Sequence, residues 1–197
     1  MNFELPIDQE KENKNKAFEA LFENILNKKG EDIPTIEYGL SYPKEEFLKF
    51  LVENKNVLLH GSSTRDMETL EPRQANDTAK VSGNKNAVYG VIDPVLPIFY
   101  AIQDREKLQG NIESGTEDNP ETGRQEYKFR IPKIAKENQP WTKGIIYILD
   151  RNNFVPEKDN KGESSGEWTS DKPIRPLAKL EVSPEDFRYM DKIEYSE

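Results

Sequence analysis

Three stretches hold the apolar residues that stand out in this chain, Leu48 to Leu59, Ala87 to Ile102 and Ile145 to Leu149, and any core has to be assembled from them. They are few because 34% of the 197 residues are apolar while 33% are charged, so most other segments read as helix faces, loops and solvated surface. A chain of this length supports one domain with a real core, or one domain with a small appendage. The reading is a catalytic-sized unit over residues 56–197, preceded by a helical extension over 1–55 that packs on it.

Helical periodicity comes first along the chain. Ala17, Leu21 and Ile25 run parallel to Phe18, Phe22 and Leu26 in an otherwise charged stretch, which predicts an amphipathic helix over 8–29 with Gly30 as its stop. A second helix starts at Pro43, carries Phe47, Leu48, Phe50 and Leu51, and ends by Asn54 and Asn56. Strands are predicted at Val57 to Leu59, Ala87 to Val91, Tyr127 to Ile131, Gly144 to Asp150, Glu167 to Ser170 and Leu177 to Val182. Between the second and third of these, Asp93 reads as an N-cap and Pro94 as the first residue of a helix bearing Val95, Ile98, Phe99 and Ile102, with Pro97 in its first turn. Three polar stretches read as loops: 73–86 as a flexible loop beside the site, 107–125 as an insertion or a long hairpin loop, and 156–166 as surface. Helices early and strands late predict an α+β fold rather than alternating βαβ units.

Charge excludes one class of function. A net charge of −9 argues against a general nucleic-acid binder, which needs surplus Lys and Arg to neutralise phosphates. With no cysteine and one histidine, neither a disulfide framework nor a zinc centre is expected, and no metal is assigned. The first residues, Met1 to Pro6, lack a basic and apolar leader, and no apolar run reaches the length of a membrane span, so a soluble cytoplasmic protein without a membrane partner is expected.

The residues that point to chemistry begin at Val57-Leu58-Leu59-His60-Gly61-Ser62-Ser63, where a predicted strand runs into the single histidine, a glycine and two hydroxyls. Some thirty residues on, Val88-Tyr89-Gly90-Val91 forms a second strand ahead of a helix, and Glu167 opens a late one. This order resembles the His-Tyr-Glu pattern of the ADP-ribosyltransferase superfamily, which includes the poly-ADP-ribose polymerases and diphtheria-toxin-like enzymes. Tyr100, eleven residues after Tyr89, matches the second tyrosine of those polymerases. The resemblance spans about residues 56–187. It implies split antiparallel β-sheets around an NAD cleft, NAD as substrate, and transfer of ADP-ribose to an acceptor with release of nicotinamide.

The residue types suit that reaction. Cleaving the glycosidic bond builds positive charge on the ribose, which a carboxylate at Glu167 stabilises. Tyr89 and Tyr100 offer aromatic faces for the nicotinamide ring. His60 can hydrogen-bond a ribose hydroxyl, Gly61 lets backbone groups approach the carboxamide, and Ser62 is a secondary contact. Arg65 and Arg73 are candidates for the pyrophosphate. Asp150, Glu163 and Glu181 compete with Glu167 for the carboxylate role. Two departures from the family pattern bear on activity and acceptor: Pro97 stands where the polymerases carry a carboxamide-binding serine, and Ser165 stands where arginine-modifying relatives carry a second glutamate. The acceptor is left open among protein, nucleic acid and small molecule. The alternatives are a non-catalytic nucleotide-binding or interaction module and an NAD-dependent RNA 2′-phosphotransferase, the latter poorly served by an acidic chain.

Overall fold

The computed structural model describes residues 7–28, 30, 32–74, 85–159 and 161–196. Helix α1 (Ile7–Leu26) buries Phe18, Phe22 and Ile25, and helix α2 (Lys44–Asn54) buries Phe47, Leu48, Phe50 and Leu51, as their apolar spacing dictates. The stripe on α1 narrows at its end, because Leu26 is exposed and the helix stops there rather than at Gly30. The two helices lock through edge-on rings, with Phe18 and Phe47 centroids 5.5 Å apart.

Strands follow: β1 (Val57–Ser62), β2 (Arg73–Gln74) and β3 (Asn86–Val91), then helices α3 (Leu96–Ala101) and α4 (Arg105–Leu108). A hairpin of β4 (Glu113–Asp118) and β5 (Gln125–Pro132) precedes a short helix α5 (Ala135–Asn138). The chain closes with β6 (Gly144–Asp150), β7 (Val155–Lys158), β8 (Ser164–Ser170), β9 (Ala178–Val182) and β10 (Ile193–Ser196). The fold is α+β, with a seven-stranded sheet in the order β7-β8-β3-β1-β6-β9, β2 attached to β3, and a second sheet in the order β10-β5-β4. Pairing in the larger sheet is antiparallel throughout, whereas β10 joins β5 in parallel.

The continuous apolar run of β6 is explained by burial on both faces. Ile146 and Ile148 enter the larger core cluster with the helices, while Ile145, Tyr147 and Leu149 enter a smaller cluster on the opposite face. β1 divides the same way, sending Val57 and Leu59 to the helical face and Leu58 to the other. Phe99 of α3, Phe129 of β5 and Phe187 tie the small sheet to the large one, with centroids 4.7 to 5.4 Å apart.

Several expectations are corrected. Residues 113–118 pair with 125–130 as a hairpin, so the 107–125 stretch contains a strand that the sequence reading missed. Its charges had hidden it; they are satisfied across strands by Lys128–Glu117 and Arg130–Glu113 ion pairs. The expected surface loop 156–166 contains most of β7 and the start of β8, a polar edge pair. Helix α3 begins at Leu96 rather than Pro94, and its N-cap residue is Val95 rather than Asp93; the Oδ1 of Asp93 accepts from the amides of Val95 at 2.7 Å and Leu96 at 2.8 Å just ahead of the helix. Strand β10 has no counterpart in the sequence reading. Of the stretch 73–86, residues 75–84 lie outside the described residues.

Candidate functional site

The site is built where two central strands part company. β1 and β3 pair at Leu59 and Val91, and no further pair of that register is formed. Continuing it would join Gly61 to Tyr89. Instead β1 goes on alone beside β6, as far as Ser62 opposite Ile145, and β3 stays with β8. The opening between them is the head of a cleft of about 670 Å³, within the range of small-molecule sites.

Hydrogen-bond phase decides which backbone groups face this cleft. The amide of Arg151 donates to Asn56 O at 3.1 Å, and the amide of Ile92 to Gly166 O at 3.4 Å. In an antiparallel ladder, bonded and non-bonded pairs alternate. Counting from these two bonds, Leu59 and Gly61 direct their N–H and C=O away from β6, and Tyr89 and Val91 direct theirs away from β8. The backbone groups of Gly61 and the carbonyl of Tyr89 therefore point into the gap.

His60 bridges it. Its Nδ1 lies 2.8 Å from Tyr89 O, and because a carbonyl only accepts, Nδ1 carries the proton. Nε2 of the neutral ring is then an acceptor. Burial pushes the imidazole below its ordinary value, against the raising effect of the Tyr89 carbonyl, and the nearby Arg73 guanidinium lowers it further.

Packing adds its own requirement for glycine at position 61. A Cβ there would lie 1.9 Å from the carbonyl oxygen of Pro97, so the room a side chain would need is taken by α3 crossing over β1. The segment after β1 is pinned by the buried Tyr147, whose hydroxyl donates to Thr64 O at 2.9 Å and accepts from the Met67 amide at 3.2 Å. Leu70 and Ile174 then exchange two backbone bonds, fixing the chain as it enters Glu71 and Arg73.

His60, Gly61, Ser62, Tyr89, Tyr100 and Glu167 all line this one cleft. Glu167 stands opposite Val91, itself opposite Leu59, so its row crosses the sheet at the point of parting. The Tyr89 hydroxyl accepts from the Lys85 amide at 3.2 Å and reaches Lys85 O at 3.3 Å. Burial raises its ionisation above the ordinary range, and the carboxylates of Glu167 and Glu157 add to the rise. Tyr100 shares a 2.7 Å hydrogen bond with Ser114, and Arg105 lies over its ring at 5.5 Å. Ser62 Oγ accepts from the Thr64 amide at 3.1 Å.

The competing carboxylates are placed elsewhere. Asp150 caps the turn at 151–153, Glu181 is held by Arg65 and Lys143, and Glu163 stands exposed by the β7–β8 turn. That pairing with Glu181 also removes Arg65 from the cleft, whereas Arg73 lines it. Arg105, Ser114 and Glu71 also line the cleft and were not anticipated. Ser114 arrives on β4, within the stretch that reads as loop in the sequence, and Arg105 opens α4 just ahead of that stretch, where no element is predicted.

Comparison with family models, with curated proteins and with solved structures returned no match. No helix among the described residues is long and apolar enough to cross a membrane.

Proposed function

We propose that the cleft binds NAD and that the chain transfers ADP-ribose from it to an acceptor, releasing nicotinamide. The observation that supports this reading is the convergence of His60, Tyr89, Tyr100 and Glu167 on one cleft at the parted strands. Those four residues come from four separate elements, so their meeting is not a product of sequence proximity.

The roles follow from the chemistry each group offers. Nicotinamide stacks on the tyrosine faces, and its carboxamide meets the N–H and C=O that Gly61 turns into the gap. Nε2 of neutral His60 accepts from a ribose hydroxyl, its orientation set by the bond from Nδ1 to Tyr89 O. As the glycosidic C–N bond breaks, positive charge grows on the ribose and the Glu167 carboxylate stabilises it electrostatically. The electron pair of that bond leaves with neutral nicotinamide. The acceptor then bonds to the ribose carbon and gives up its proton. Arg73 and Arg105 have no carboxylate partner among the described residues and suit the diphosphate. Pro97 brings no hydroxyl to the wall formed by α3, and Ser114 supplies one there through its bond with Tyr100.

The test is nicotinamide release from labelled NAD, with and without candidate acceptors, alongside calorimetry with NAD and ADP-ribose. Release that disappears in Glu167→Ala supports the reading. Binding without release makes the chain a non-catalytic nucleotide-binding module, and neither binding nor release overturns the proposal.

A further inference from the structure

Glu157 is a carboxylate that the chemistry above does not use, and its surroundings are unusual for an edge strand. It sits on β7, the outermost strand of the large sheet, with 8% of its surface exposed. Its Oε1 accepts from Lys85 Nζ at 2.5 Å and from Thr169 Oγ1 at 2.5 Å. A buried charge is tolerated only when its partners are in place, and here both are. Those partners also hold its carboxyl below the usual carboxylate range despite burial, so the group is a carboxylate at neutral pH.

Both partners lead to Tyr89. Thr169 is the residue opposite Tyr89 in the β3–β8 ladder. The backbone amide and carbonyl of Lys85 hold the Tyr89 hydroxyl. Lys85 lies one residue outside β3, whose first two residues pair, among the described residues, with β2 alone. An unclamped Lys85 would leave that hydroxyl on a fraying strand end.

We propose that Glu157 is a positioning residue for Tyr89: by clamping the Lys85 ammonium against Thr169 it fixes the tyrosine ring in the wall of the cleft. The inference rests on the reading that Tyr89 faces bound NAD. It adds to that reading a second carboxylate, outside the cleft, that acts through another residue.

The test uses the full chain with Glu157→Gln, Lys85→Met and the double variant. Gln at 157 keeps the oxygen that Thr169 donates to and removes the negative charge that clamps the ammonium. Lys85→Met removes that ammonium at a half-exposed site, so it reports even if Glu157→Gln fails to fold. The first readout is NMR of ring-labelled tyrosines, with the Tyr89 signal assigned by Tyr89→Phe. That signal is expected to shift in each variant while exposed Tyr195 stays still. The second is NAD affinity by calorimetry, expected to fall roughly tenfold in each single variant and no further in the double, as coupled residues behave. An unmoved Tyr89 signal overturns the proposal, and so does a moved signal with unchanged affinity. If the parent chain itself binds no NAD, the function proposed above fails, and the tyrosine signal alone decides the positioning.

Discussion

Leu59 pairs with Val91, and Gly61, two residues further along the same strand, does not pair with Tyr89. A sheet that opens in its middle loses ladder hydrogen bonds where they are most sheltered from water. The cost of an unsatisfied buried carbonyl is about 1–3 kcal/mol, and the His60 ring answers it at Tyr89 O. The cleft is therefore a deliberate interruption in an otherwise continuous antiparallel sheet, bounded on one side by β1 and on the other by β3.

His60 should make stability depend on pH in a definite direction. The unfolded chain takes up a proton near the ordinary value of about 6.5, whereas burial and Arg73 hold the folded ring below it. Between those two values the unfolded state binds more protons, so stability falls as pH drops from about 6.5 and is fully retained above it. Urea titrations at pH 7.5 and 5.5 are expected to show a larger loss for the parent chain than for His60→Gln. Equal losses would mean that the histidine is not held neutral.

Gly61→Ala places a methyl 1.9 Å from the Pro97 carbonyl oxygen, and that atom belongs to the backbone of α3. The helix has to move, at a cost of about 3 kcal/mol or more, since overpacking against backbone has no side chain to yield. A drop in the urea midpoint is the expected result. An alanine variant as stable as the parent would show that α3 does not cross β1 this closely.

Glu167→Gln keeps the size of the side chain and removes its charge. Nicotinamide release is expected to slow by roughly a hundredfold or more, as for loss of one electrostatic stabiliser, with NAD affinity nearly unchanged. Single-turnover kinetics with labelled NAD separates this from a binding defect, which would appear in affinity instead.

Arg73→Ala and Arg105→Ala are each expected to weaken NAD binding by about tenfold, in line with a charged hydrogen bond of roughly 1.5 kcal/mol. The dependence of affinity on salt should flatten in both. Arg65→Ala serves as the control, because its guanidinium is committed to Glu181 and does not line the cleft. A loss at Arg65 equal to that at Arg73 would remove the assignment.

Sequence reasoning reached the residues whose surroundings are strongly patterned. His60 and Tyr89 lie on or beside apolar runs that can only be buried strands, and Asp93 announces the helix that carries Tyr100. Glu167 was placed by its context, and what separates it from Asp150, Glu163 and Glu181 is strand register, which a sequence does not display. Arg105 and Ser114 went unread because their elements lack apolar alternation: β4 runs Glu113-Ser114-Gly115-Thr116-Glu117-Asp118 and owes its strand form to partners on β5. β7 was obscured by Pro156 and its charged neighbours, features that also protect a sheet edge from pairing with other chains. Strand β10 did carry a signal, the alternation of Ile193 and Tyr195 with polar residues, but four residues are too few to separate a strand from a turn.

The parallel seat of β10 against β5, and the packing of Phe187 on Phe99 and Phe129, have a consequence for synthesis on the ribosome. Helix α3, with Tyr100 and the Pro97 carbonyl over Gly61, packs through Phe99 on Phe187, made some ninety residues later. A nascent chain holding β1, β3 and β8 thus has both strands of the cleft before its roof is secured. The ring contacts of Phe187 with Phe99 and Phe129 therefore form only after His60 and Glu167 already stand on their strands.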